Sequence, residues 1–192
     1  MNKCIIFSAP SGSGKTSIVQ QLLLRPELKL EFSISATTRP SRGQEVHGKD
    51  YYFLSIEDFK QKIAQNELVE WEEVYEGTFY GTLRSELERI WAKNNHVIFD
   101  VDVKGGLNLK NKFEKNALAV FIKPPSMVIL EQRLRNRGSE SEDKIKQRLA
   151  KAEFELSFAD KFDIQIVNNN LDESVKESRI AITRFIGIEK NK

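Results

Sequence analysis

Cys4-Ile5-Ile6-Phe7-Ser8-Ala9-Pro10-Ser11-Gly12-Ser13-Gly14-Lys15-Thr16-Ser17-Ile18-Val19 is the stretch whose reading decides the fold. Lys3–Ser8 is a short apolar run that reads as a strand. Ile18, Val19, Leu22 and Leu23 recur at helical spacing. Between them lies a loop with glycine at 12 and 14, then Lys15 and Thr16. Strand, glycine-rich loop and helix form the context of a phosphate-binding loop. Glycines let successive backbone N–H groups turn inward round an anion, and the helix start adds its positive end. The backbone of Ser11, Gly12, Ser13 and Gly14 is expected to cradle a nucleoside triphosphate such as ATP. Lys15 then reaches its outer phosphates, and Thr16 offers a hydroxyl to Mg2+. Ala9 stands where the usual pattern opens with glycine, a mild departure because alanine is small.

The rest of the chain bounds the reading. Its 192 residues suffice for one hydrophobic core with small appended lobes. Thirty basic and 28 acidic residues leave a net charge of +2, too balanced for a general nucleic-acid binder. A single cysteine excludes an internal disulfide, and Cys4 reads as a buried small hydrophobe. Two histidines cannot build a zinc cluster alone. No apolar run approaches the ~20 residues that cross a bilayer, and no signal-peptide pattern precedes the first strand. A cytoplasmic protein without a membrane partner is the expectation.

Taken in order, Arg25-Pro26 ends the first helix and Glu31–Thr37 reads as one strand. The loop Thr38–Gly43 holds Arg39 and Arg42 around Pro40, so two guanidinium forks can meet one anion. Tyr51–Leu54 is a short strand, and Ser55 opens a helix that stops near Asn66. Leu68–Tyr75 is strand-like, with Glu70 in an apolar setting. Phe79–Thr82 leads into a helix carrying Leu83, Leu87, Ile90 and Trp91. Residues 35–82 thus form a small lobe that interrupts an α/β rhythm. The rhythm resumes with Val97–Asp102, an apolar strand ending in acids, of which Asp100 suits Mg2+ directly or through water. Gly105-Gly106 precedes a polar helix, and Leu118–Ile122 is a continuous apolar strand. Residues 124–160 are helical and carry Arg133, Arg137 and Arg148, with Gly138 as a stop and Ser139 or Ser141 as a cap. Phe162–Val167 is the last strand and Asn168–Asn170 a turn before the final helix. The architecture expected is a three-layer α/β sandwich on a central parallel sheet. Residues 1–34, 83–123 and 161–192 make the core, 35–82 a mixed α+β lobe, and 124–160 a helical lid.

A triphosphate cradle, a lobe with two arginines and a carboxylate, and a lid with arginines suit a kinase acting on a small phosphorylated acceptor. At this point the chain closely resembles the guanylate kinase family. The resemblance is carried by Ser35–Glu45, Gly48–Tyr51, Val69–Trp71, Tyr80–Thr82, Asp100–Asp102, Pro124–Ser126 and Arg133–Gly138, in family order. It implies transfer of the ATP γ-phosphoryl to GMP, and plausibly to dGMP, with Mg2+. It also implies that Arg39, Arg42, Tyr51 and Tyr80 hold the GMP phosphate, and that Ser35, Glu70, Thr82 and Asp102 surround the guanine. Arg133, Arg137 and Arg148 match lid arginines on the transferring phosphates, and Asn168 lies near the adenine. A monomer or small homo-oligomer is expected. Three other readings use the same residues, one of them a kinase for another nucleoside monophosphate or a nucleic-acid 5′ end, which the setting of Glu70 argues against. A non-enzymatic module that binds phosphorylated proteins would keep the lobe but lose the donor loop, which here is intact. Asp102–Gly105 superficially copies a GTPase switch, yet no Asn-Lys-x-Asp follows it.

Overall fold

The computed structural model describes residues 2–136 and 141–188. Its first sheet has five parallel strands: β1 (Cys4–Ser8), β2 (Leu30–Phe32), β7 (His96–Asp100), β8 (Ala117–Lys123) and β9 (Ile164–Val167). They lie in the order β2-β7-β1-β8-β9, and every residue of β1 is buried. A central strand covered on both faces must be apolar throughout, which explains Cys4–Phe7. On one face α1 (Lys15–Leu23) and α7 (Leu171–Ile186) lay Ile18, Leu22, Val175 and Ile182 against Ile5 and Phe7. On the other, α3 (Arg84–Trp91) and α4 (Val103–Phe113) lay Leu87, Ile90 and Leu109 against Ile6 and Phe99. Each such fully buried side chain contributes about 1.5–3 kcal/mol.

The second sheet is mixed, in the order β4-β3-β6-β5, from β4 (Tyr52–Phe53), β3 (Ser35–Thr37), β6 (Thr78–Leu83) and β5 (Leu68–Tyr75). Helix α2 (Ile56–Ala64) covers its outer face, with Phe59 stacked 5.5 Å from Phe79. The Ser55 hydroxyl accepts from Asp58 N–H at 3.0 Å and caps that helix. An added Cβ at Gly81 would come within 2.8 Å of the Glu70 carbonyl, so the β5–β6 hairpin packs closely only with glycine there. The remaining helices, α5 (Met127–Arg135) and α6 (Glu142–Leu156), pack Leu130 and Leu134 against Ala152.

Several local expectations are corrected. Glu31–Thr37 is not one strand: β2 joins the first sheet and β3 the second. At the crossing, Ile34 N–H leaves both ladders and donates to Glu86 Oε2 at 2.9 Å. That buried α3 carboxylate satisfies a backbone group that would otherwise cost free energy. Phe79–Thr82 does lead into a helix, α3, but is itself the middle of β6, paired with both β3 and β5. Leu83 occupies the capping position of α3, without a side-chain cap. Gly105 and Gly106 do not precede a helix; they lie in the first turn of α4, capped by Asp102. Gly106 is there because a Cβ would collide with the Ser8 hydroxyl. The strand read to Asp102 ends at Asp100, and the last strand starts at Ile164. Ser141 sits at the start of α6 without a capping hydrogen bond. Ser139, Gly138 and Arg137 lie outside the described residues.

Candidate active site

The donor loop runs from the carboxyl end of the central strand β1 to α1, where open parallel sheets bind ligands. Gly12 and Gly14 have φ of 94° and 87°, the left-handed region that side chains resist. An added Cβ at Gly14 would also collide with the Asn168 side chain. The loop is braced from behind: Asn168 Nδ2 donates to the Ser13 carbonyl at 2.7 Å, and its Oδ1 accepts from Ser174 Oγ at 3.1 Å. Asn168 is buried, so both amide ends are spent on holding the loop. Lys15 Nζ pairs with Asp100 Oδ1 and donates to the Val101 carbonyl at 2.8 Å. Thr16 Oγ1 donates to Asp100 Oδ2 at 2.7 Å. Lysine, hydroxyl and carboxylate therefore meet at the end of β7, beside the loop.

The second constellation follows from strand register. On antiparallel strands, directly paired residues share a face. Ser35 pairs with Thr82, and Thr82 with Glu70, which sets the three in a row across β3, β6 and β5. One step along, Thr37 pairs with Tyr80 and Tyr80 with Glu72. Thr82 Oγ1 donates to Glu70 Oε1 at 2.8 Å. Burial lifts the Glu70 carboxyl to about 7, with the charges of Asp102 and Glu72 adding to it, while Thr82 and Lys112 oppose it. Asp102 Oδ1 accepts from Gly105 N–H at 2.8 Å as the α4 cap. A Cβ at Gly105 would lie 3.2 Å from both that oxygen and Glu70 Oε2, so the lobe carboxylate and the core carboxylate converge on one glycine.

At the other end of the row Arg39, 9% exposed, donates through Nε to Tyr80 Oη at 3.1 Å. Its guanidinium lies 4.8 Å from the Tyr51 ring centroid. Both terminal nitrogens grip Glu45, at 2.6 and 2.7 Å. The guanidinium, with Arg42 N–H, holds the Glu45 carboxyl down to about 2. Arg42 donates that backbone N–H at 2.8 Å, while the residue itself is exposed. Glu45 is the member that the sequence reading left without a role. Its signal was its position three residues past Arg42, within reach of the same turn.

From the lid, Arg148 on α6 donates to Ser11 Oγ at 2.7 Å. Arg133 on α5 donates to the Asn168 carbonyl at 3.0 Å. Two of the three lid arginines thus touch the donor loop or its brace.

The same chain finds relatives along nearly its whole length. The family model described as guanylate kinase matches residues 1–184. A guanylate kinase of Porphyromonas gingivalis is 51% identical over 186 residues, covering 97% of this chain and 99% of that one. One of Bacteroides fragilis is 50% identical over 187 residues, covering 97% and 91%. Among solved structures, guanylate kinase from Anaplasma phagocytophilum superposes with a TM-score of 0.76 at 30% identity, covering 98% of this chain and 88% of that one. A gluconokinase from Sinorhizobium meliloti shares the fold at a TM-score of 0.51 and 14% identity, covering 95% and 92%.

Proposed function

This chain belongs to the guanylate kinase family, and from that premise we propose that it transfers the γ-phosphoryl of ATP to GMP, giving ADP and GDP. The observation that carries the reading is the row Ser35–Thr82–Glu70 with Arg39 and Tyr80 one step along it. A nucleoside monophosphate has a base at one end and a phosphate at the other, and the row offers a partner for each. An ionised Glu70 accepts from guanine N1–H and the exocyclic amine. Adenine presents no such donor pair, so a buried carboxylate facing AMP goes unpaired, and the site rejects it.

At the phosphate end, Arg39 and Arg42 supply positive charge, with Tyr51 and Tyr80 as hydroxyl donors. Glu45 holds the Arg39 fork in place before the acceptor arrives. The acceptor's phosphate oxygen is ionised at neutral pH, so the transfer needs no general base. Lys15 and the loop N–H groups hold the donor phosphates. Arg133, Arg137 and Arg148 stabilise charge on the phosphoryl in transit and exclude water. Thr16 and Asp100 would hold Mg2+: their hydroxyl and carboxylate oxygens already meet at 2.7 Å, the hard-oxygen set this ion takes. When bound with ATP, the ion neutralises phosphate charge.

The test is ADP release with ATP and Mg2+, run against GMP, AMP, CMP, UMP and no acceptor. Turnover with GMP at least a hundredfold above the others is expected, with GDP appearing in step. GMP binding without turnover would replace the kinase reading with a recognition module. ADP release regardless of acceptor would make the chain an ATPase.

A further inference from the structure

Glu72 has no part in the function argued so far, yet it stands one step along the strands from that row, beside Tyr80. It is two residues from Glu70 on β5, so alternation puts both on one face. The opposite face is identified independently by Trp71, whose ring lies 6.2 Å from Phe79, on the side covered by α2. Glu72 pairs directly with Tyr80. It therefore shares Tyr80's level, one step along the strands from the Glu70–Thr82 level that faces the base, and it flanks Tyr80 on the side away from Thr37. In a nucleotide the group between base and phosphate is the sugar.

The carboxylate is prepared for a ligand on one side only. Lys104 Nζ on α4 holds Oε1 at 2.9 Å. Oε2 is buried and has no hydrogen-bond partner among the described residues. A buried acceptor without a donor costs free energy unless something supplies one. Burial raises the carboxyl above the usual range, with Asp102 also opposing its charge, while Lys104 and Lys151 favour it. Lys104 thus anchors and aims one oxygen, while the second is left without a partner among the described residues.

We propose that Glu72 is a sugar-reading residue: its free oxygen accepts a hydrogen bond from a ribose hydroxyl of the acceptor nucleotide. The proposal rests on the GMP-kinase reading and deepens it. It makes the deoxy acceptor a poorer substrate than the ribonucleotide, where the sequence alone offered no feature to separate them.

The experiment compares kcat/KM for GMP, 2′-deoxy-GMP and 3′-deoxy-GMP in the wild-type chain and in Glu72→Ala, Glu72→Gln and Lys104→Met. The wild type should favour GMP over at least one deoxy analogue by about tenfold, the worth of one hydrogen bond to a charged group. Glu72→Ala should erase that preference, mainly through the KM for GMP. Lys104→Met should weaken it in part, because the accepting carboxyl loses the ammonium that aims it. Glu72→Gln preserves the side chain's shape and should weaken the preference if the alanine variant does not fold. Equal use of all three acceptors by the wild type would overturn the proposal while leaving the kinase reading intact. So would an alanine variant that loses the same factor on all three, which is what a purely structural Glu72–Lys104 link predicts. No transfer to any guanine nucleotide would instead remove the kinase reading itself.

Discussion

At the scale of one residue, Glu70 shows how a binding group is made at the expense of stability. Its ordinary carboxyl value of 4.5 is raised to about 7 in the folded chain. The folded state therefore holds a proton that the unfolded state has released between those two pH values. Stability is highest below the unfolded value and falls as pH rises through about 7. On the proposed function, acceptor binding runs the other way, because only the ionised carboxylate would accept from guanine. The kcat/KM for GMP should rise with pH through about 7, a limb belonging to the free protein. Glu70→Gln should lose that limb and the preference for GMP over AMP. It keeps a carbonyl for Thr82, so at pH 8 it should be more stable than the wild type by about 1–3 kcal/mol. Urea unfolding at pH 5 and pH 8 reads the second effect. A variant no more stable than the wild type at pH 8 would show that Glu70 is not held at a raised value.

At the scale of elements, the donor loop depends on a strand it does not adjoin in sequence. The Asn168 side chain follows β9 and holds the Ser13 carbonyl at 2.7 Å, while its backbone carbonyl receives Arg133. Asn168→Ala would orphan the Ser13 carbonyl, while the Ser174 hydroxyl keeps the Asn170 carbonyl, and should cost about 1–3 kcal/mol. It should raise the KM for ATP while leaving that for GMP nearly unchanged, as initial-rate kinetics would report. A selective rise for GMP would contradict the brace. The loop itself was legible in the sequence because glycine, lysine and threonine spacing is local. The parallel-sheet rhythm was legible for the same reason, since buried strands are continuous apolar runs. What escaped the sequence was settled by partners far along the chain. The break inside Glu31–Thr37 depends on Glu86, some fifty residues on. The strand β6 reads in the sequence only as the approach to a helix because Gly81 interrupts its alternation, and that glycine is explained by the close approach of the Glu70 carbonyl, Trp71 and Phe59. The glycines of α4 look like a turn until Ser8 and Glu70 are seen to press on them. Glu72 escaped because its meaning is a register, not a motif.

At the scale of the molecule, the three regions are joined unequally, and this fixes which of them moves. The lid already reaches the donor loop: Arg148 donates to Ser11, and Arg133 to the Asn168 carbonyl. The acceptor lobe meets the core differently. Two chain crossings connect it, near Ser33-Ile34 and Leu83-Arg84; α4 touches it through Lys104 to Glu72 and Lys112 to the Val69 carbonyl, and Tyr52 Oη donates to Glu86 on α3 at 2.9 Å. Lys104 is more than half exposed, so its pair is worth little in water and can be re-formed at small cost. Arg39, the proposed phosphate ligand of the lobe, is meanwhile held by Glu45 within it. Closure should thus be a lobe movement driven by GMP, with the lid contributing less. Small-angle scattering of the free chain, with GMP, with a non-hydrolysable ATP analogue and with both, separates the two motions. A compact chain of this length has a radius of gyration of about 16 Å. GMP alone should produce most of the decrease, and the ATP analogue alone little. A decrease that appears only with the ATP analogue would assign the motion to the lid. It would also mean that the Arg148–Ser11 contact is weaker than its geometry implies.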